Sequence, residues 1–129
     1  MASRSPNPLC PRYHQAVELL GRRWAGAIVR VLLDGPRRYN EVRGFIPDIS
    51  DRMLSERLRE LEEAGVLTRR VLPDAPVRVE YELTDKGRAL ENAIDAIGKW
   101  AEQWISLPAG ARGASVQRST RKAAAGRRS

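Results

Sequence analysis

The chain has 129 residues, 42% of them apolar, which is enough for one domain with a modest core. One Cys and one His exclude an intrachain disulfide framework and a Cys/His zinc cage built from a single chain. The formal charge of +7 favours an anionic partner such as nucleic acid. Six of those charges lie in residues 109–129, which hold no acid, so the rest of the chain carries only +1. Any DNA-binding face must therefore come from local placement of Arg.

No apolar stretch at the N-terminus has signal-peptide length, and no run approaches the ~20 residues of a membrane span. A cytoplasmic protein without a membrane partner is the default expectation. No metal or cofactor is expected.

Residues 1–12 are polar and contain Pro6, Pro8 and Pro11, the composition of an extended arm; the flexible part is placed at 1–9. A short helix is predicted over 13–20, with Tyr13, Ala16, Val17, Leu19 and Leu20 as its apolar residues and Gly21 ending it. A second helix is predicted from Trp24 to Leu33, where Trp24, Ile28 and Leu32 repeat at helical spacing and Val29, Val31 and Leu33 widen the face. So broad a face belongs to a central, buried helix. Asp34, Gly35 and Pro36 stop it. Asn40 is placed as the cap of a third helix that runs to about Ile46, before Pro47 breaks it.

The fourth helix, over 50–65, has both ends written into the sequence. Ser50 is an N-cap, Asp51 suits the positive end of the helix dipole, and Ile49 and Leu54 stand at the positions of a hydrophobic staple. Gly65 fits a left-handed C′ position, with Val66 folding back onto Leu61. Leu54, Leu58 and Leu61 form one apolar stripe, and Arg52, Glu56, Arg59 and Glu63 fall roughly opposite it. Arg57 lies closer to the stripe and is left out of the DNA-reading set. Taken alone, this is an ordinary amphipathic helix. Its short turn after helix three makes a helix-turn-helix pattern.

After Gly65 the period changes from helix to strand. Residues 67–72 are one strand; Val77, Val79, Tyr81 and Leu83 alternate with Arg78, Glu80 and Glu82 in a second. Pro73, Asp74, Ala75 and Pro76 form the tip. Helix-turn-helix followed by a hairpin is the order of a winged helix. Thr84 caps a last helix predicted to reach about Leu107. That helix has two apolar rows. One is Leu90, Ile94, Ile97, Ala101 and Trp104; the other is Ala93, Ile97, Trp100, Trp104 and Leu107. Two rows call for two partners, one of them a second chain; the alternative is that the first helix of the same chain covers both. A two-fold dimer would present two fourth helices to a palindrome with half-sites ~34 Å apart. Trp24, Trp100 and Trp104 could line an effector pocket, but core packing accounts for them more simply.

Residues 109–129 are rich in Ala, Gly, Ser and Arg and read as a disordered basic tail that adds sequence-blind DNA affinity, or as an extension without a role.

In this order the pieces resemble the HxlR-type winged-helix transcription regulators, relatives of the MarR group. The carriers are Cys10-Pro11, LLGRRW (19–24), LLDGPRRYNEVRG (32–44), IPDISDRMLSERLRELEEAGVL (46–67) and PVRVEYELTDKG (76–87). The resemblance covers about residues 10–106. It implies an α+β, mostly α, winged helix-turn-helix (α-α-α-α-β-β-α) with a C-terminal dimerisation helix, occupying 10–108. It also implies a dimeric regulator, a repressor more readily than an activator, that often answers a small reactive or redox signal. DNA-reading positions map onto Ser50, Arg52, Met53, Ser55, Glu56 and Arg59. Arg52 and Arg59 suit guanine or phosphate, Ser50 and Ser55 a phosphate or base edge, Met53 a thymine methyl and Glu56 cytosine N4. Arg78, with Arg69 and Arg70, is the wing candidate, and Arg38 a phosphate clamp. The acidic Glu80 and Glu82 argue against a strongly gripping wing. The dimer interface falls on Leu90, Ile94, Ile97, Trp100, Ala101 and Trp104.

Cys10 resembles the position of a sensor thiol in this family. Arg12 and His14 nearby would favour its thiolate, and one Cys per chain suffices for an inter-subunit or mixed disulfide. The alternative is a small residue packed at the dimer seam. Cys10 and His14 lack an orienting acid, an oxyanion hole or a phosphate-cradling loop, so no catalytic residue is assigned and an enzyme is not expected. The competing function is a winged-helix protein-interaction module with only tail-driven DNA affinity.

Overall fold

The computed structural model describes residues 9–73 and 76–108. Helices α1 (Pro11–Leu20) and α2 (Ala25–Leu32) lead into a two-residue strand β1 (Arg37–Arg38), then α3 (Tyr39–Phe45) and α4 (Asp51–Glu63). The hairpin is β2 (Leu67–Leu72) and β3 (Arg78–Leu83), and the chain continues through α5 (Asp85–Arg88) and α6 (Glu91–Trp104). The sheet is antiparallel in the order β1-β3-β2. This is a mostly helical α+β winged helix. The predicted arm 1–9, except Leu9, the two tip residues Asp74 and Ala75, and the basic tail lie outside the described residues.

The core follows the apolar stripes. Ile28, Val29 and Leu32 of α2 meet Val42 of α3 and Leu54, Leu58 and Leu61 of α4, and Leu67 and Leu83 close the sheet side. Burial fades toward the wing tip, where Val71 and Val77 are exposed, so the hairpin projects from the body.

Four sequence expectations change. Strand β1 was not foreseen: two residues carry no period, and Arg37 and Arg38 become a strand only by pairing with Tyr81 and Glu80. Trp24 does not open α2 as a helical residue; it precedes the helix with φ 76°, a left-handed conformation unusual for an aromatic residue. Asn40 does not cap α3, because Arg38 is the N-cap residue and its backbone amide donates to Glu41 Oε1 at 2.8 Å. The last helix is not continuous. It breaks at Ala89 and Leu90, where the Leu90 amide bonds Gly87 three residues back, and it ends at Trp104 when Ile105 turns extended.

Candidate nucleic-acid interface

Helix α4 begins as its sequence requires. Ser50 Oγ accepts from the Met53 amide at 3.1 Å, satisfying one donor of the first turn. Ile49 and Leu54, the staple pair, are both buried. Its end is a full Schellman arrangement: the Val66 amide donates to Leu61 O, the Gly65 amide donates to Glu62 O, and Gly65 has φ 81°. Residues after the hairpin fasten this end. Thr84 Oγ1 donates to the carbonyls of Gly65 and Val66 and accepts from the Gly87 amide, and Lys86 Nζ donates to Ala64 O at 2.6 Å. The wing therefore returns the chain to clamp the end of α4.

With its apolar stripe buried, α4 exposes Arg52, Ser55 and Arg59, and the predicted positions separate by what each can offer. Arg52 makes no ion pair among the described residues. Arg59 is held by Glu63 at 3.3 Å, an exposed pair of little strength that a base or phosphate can displace. The Ser50 oxygen is occupied as a cap, but its O–H remains a donor for a phosphate. Met53 is half-buried against the core, which leaves only part of it for a methyl contact. Glu56 is half-buried.

A polar cluster at the first turn of α4 was missed. Tyr39 OH donates to Asp51, with O at 3.0 Å and Oδ1 at 3.1 Å, and lies 3.3 Å from Ser55 Oγ. Arg43 donates to Asp51 Oδ1 at 2.9 Å. Tyr39 OH and Ser55 Oγ share a hydrogen bond in which either hydroxyl can be the donor. Ser55 is exposed and its hydroxyl can either donate to a phosphate or accept from a base amino group. The only sequence signal was Tyr39 and Arg43 at i, i+4 on one face of α3.

The back of α4 is tied to the junction after α1. Arg57 is 8% exposed; its Nε donates to Arg23 O at 2.8 Å and its NH1 to Glu60 at 3.0 Å. Glu60 also receives Arg22 at 3.1 Å. Arg57 thus faces inward beside the Leu stripe.

In the wing, Arg69 is exposed, Arg70 pairs with Glu82 at 2.8 Å across the hairpin, and Arg78 is half-buried. Arg38 is exposed at the start of α3. Cys10 is free and exposed at the N-cap of α1, and neither Arg12 nor His14 bonds its thiol among the described residues.

The α6 rows divide. Leu90 and Ile94 pack partly on the chain's own core, and Ala101 is half-buried. Ile97, Trp100 and Trp104 are 60%, 58% and 65% exposed, and Leu107 is exposed beyond them. Core packing, the simpler account of the tryptophans, therefore holds for Trp24 and fails for Trp100 and Trp104. Helix α1 does not cover this row, and its own Tyr13 and Val17 are exposed as well.

Residues 19–108 match the model of a family described as HxlR-like helix-turn-helix. The chain belongs to the HxlR-like helix-turn-helix family. It is 48% identical over 98 residues to the HTH-type transcriptional regulator YodB of Bacillus subtilis, spanning 76% of this chain and 88% of that protein. It is 50% identical over 97 residues to the uncharacterized HTH-type transcriptional regulator YvaP of the same organism, spanning 75% and 90%. Among solved structures, the reduced form of YodB aligns with TM-score 0.70 at 47% identity over 76% of this chain and 96% of that one. The redox regulator HypR in its oxidized form aligns with TM-score 0.71 at 37% identity over 76% and 100%. YodB has also been solved after diamide treatment and with quinone bound.

Membership in the HxlR-like family makes this chain a transcriptional regulator acting through its helix-turn-helix, and α3 with α4 is that element. Among the described residues no helix is long and apolar enough to cross a membrane, and no group of three or more His, Cys, Asp or Glu could hold a metal ion.

Proposed function

We propose that the chain is a homodimeric repressor that reads a palindromic operator with α4 and releases it when Cys10 is modified. The observation that carries the reading is the α4 surface: a helix fixed at both ends, with Arg52, Ser55 and Arg59 exposed together. Residues 10–108 form the working domain. Ser50, Met53 and Glu56 complete the reading set, while Arg38, Arg69, Arg70 and Arg78 supply backbone contacts. Dimerisation rests on the exposed row of Ile97, Trp100 and Trp104, with Leu90, Ile94 and Ala101 alongside; a second copy offers the same row in return. The effector is a thiol-reactive small molecule. Support comes from the exposed Cys10 and from relatives solved in reduced, diamide-treated and quinone-bound forms.

Selection from a random DNA pool tests this reading, using the full chain and a chain ending at Leu107 in ~150 mM salt. Both should enrich one palindrome. Enrichment that vanishes on truncation, with no shared motif, would favour a protein-interaction module with a DNA-sticky tail.

A further inference from the structure

We propose that Arg43, on α3, is an additional phosphate contact, held in place for DNA by Asp51 and Tyr39. This rests on the DNA-binding reading above. Arg43 does not belong to the reading helix, yet its guanidinium lies at that helix's first turn, 2.9 Å from Asp51 Oδ1. The first turn of a recognition helix is the part that meets base edges and flanking phosphates. Asp51 at this place is anomalous, because a bare carboxylate would repel the phosphates that Arg52 and Ser50 are meant to approach. Its partners resolve the anomaly. Arg43 neutralises it, and Tyr39 fixes its rotamer through a second hydrogen bond to the same oxygen.

A guanidinium has five N–H donors, and Asp51 uses one. The others remain for an incoming phosphate, and the Arg43 side chain is 41% exposed. The pair does little for folding, since both members are solvent-accessible. It does fix where the cation stands. Asp51 therefore acts as a positioning residue: it aims Arg43 and, by its own charge, resists close approach of DNA that does not bring a phosphate into that position.

The experiment measures binding of the full chain to its selected operator and to an unrelated duplex across a range of salt. The variants are Arg43→Ala, Arg43→Lys, Arg43→Gln, Asp51→Asn and Tyr39→Phe, each melted in parallel. Arg43→Ala should flatten the slope of log affinity against log salt on the operator by about 1 per bound subunit and weaken the operator more than the unrelated duplex. Arg43→Lys should keep the slope. Asp51→Asn should keep the slope, tighten binding to unrelated DNA and lower the operator preference by roughly tenfold, the effect of one misplaced contact. Tyr39→Phe should lower that preference in the same direction. If Arg43→Ala melts early, the Lys and Gln variants supply the same slope comparison. A wild-type slope in both Arg43→Ala and Arg43→Gln, with operator preference intact in the wild type, overturns this proposal alone. A wild type without operator preference overturns the DNA-reading assignment and this proposal with it.

Discussion

Arg57 Nε donates to the backbone carbonyl of Arg23 at 2.8 Å, which joins the turn after α1 to the back of α4. The turn it holds contains Trp24 in a left-handed conformation, with the Arg23 guanidinium 5.0 Å from the Trp24 ring. The position of α4 is therefore set from two sides. Arg57 and Glu60 hold its back, and Thr84 and Lys86 hold its end.

Removing Arg57 should be costly in a way that removing Arg22 is not. Arg57→Ala strands a carbonyl and half of a charge network beside the core, at about 1–3 kcal/mol. Arg22 is half-exposed, and Arg22→Ala should change stability by less than about 1 kcal/mol. Denaturant melts of the two variants check the order; equal losses would contradict it.

Two glycines near the end of α4 should behave differently. A Cβ on Gly87 would stand 2.1 Å from Val66 O, a carbonyl already fixed by the Thr84 amide at 3.0 Å. Gly87→Ala should lose more than about 4 kcal/mol or fail to fold. At Gly65 the new atom meets only the Lys86 side chain, at 3.6 Å, so the cost of Gly65→Ala is the left-handed backbone, about 1–2 kcal/mol. Thermal melts of both variants measure the difference.

Charging the exposed α6 row should separate subunits. Trp100→Glu with Trp104→Glu should give a monomer in sedimentation, with helical circular dichroism retained because neither ring is buried in its own chain. Operator binding should weaken with it, since a palindrome then meets one reading helix at a time. A variant that sediments as the wild type does would remove this row from the interface.

Thiol control makes a simple prediction. Diamide should lower operator affinity of the wild type by tenfold or more (about 1.4 kcal/mol), a reductant should restore it, and Cys10→Ser should ignore both. Modification of Cys10 without change in affinity would leave it a surface thiol.

Much of this was legible in the sequence where the signals are local. Ser50, the Ile49/Leu54 staple, the Leu stripe and Gly65 each act within a turn or two of the chain, and α4 appears where they place it. What escaped depends on distant partners. β1 exists only because Tyr81 and Glu80 pair with Arg37 and Arg38. The Tyr39–Asp51–Arg43 cluster needs α3 and α4 crossed before its groups meet. The break at Ala89 and Leu90 has no Gly or Pro at the break to announce it; it follows from fixing Thr84 and Gly87 to the end of α4 while Leu90 and Ile94 turn onto the core. The two apolar rows of the last helix were readable, but not that Leu90 and Ile94 of the first row would pack on the domain while its Ile97 and Trp104 stay exposed with the second.

In the proposed function α4 reads bases through Arg52, with Arg59 in support. The most direct measurement is the affinity of wild type, Arg52→Ala and Arg59→Ala for the selected operator and its single-base variants at ~150 mM salt. Arg52→Ala should lose ~1–3 kcal/mol on the operator and tolerate substitution at one base pair per half-site, with a smaller loss for Arg59→Ala. Operator affinity and base preference unchanged in both variants would contradict it and take the reading role away from this helix.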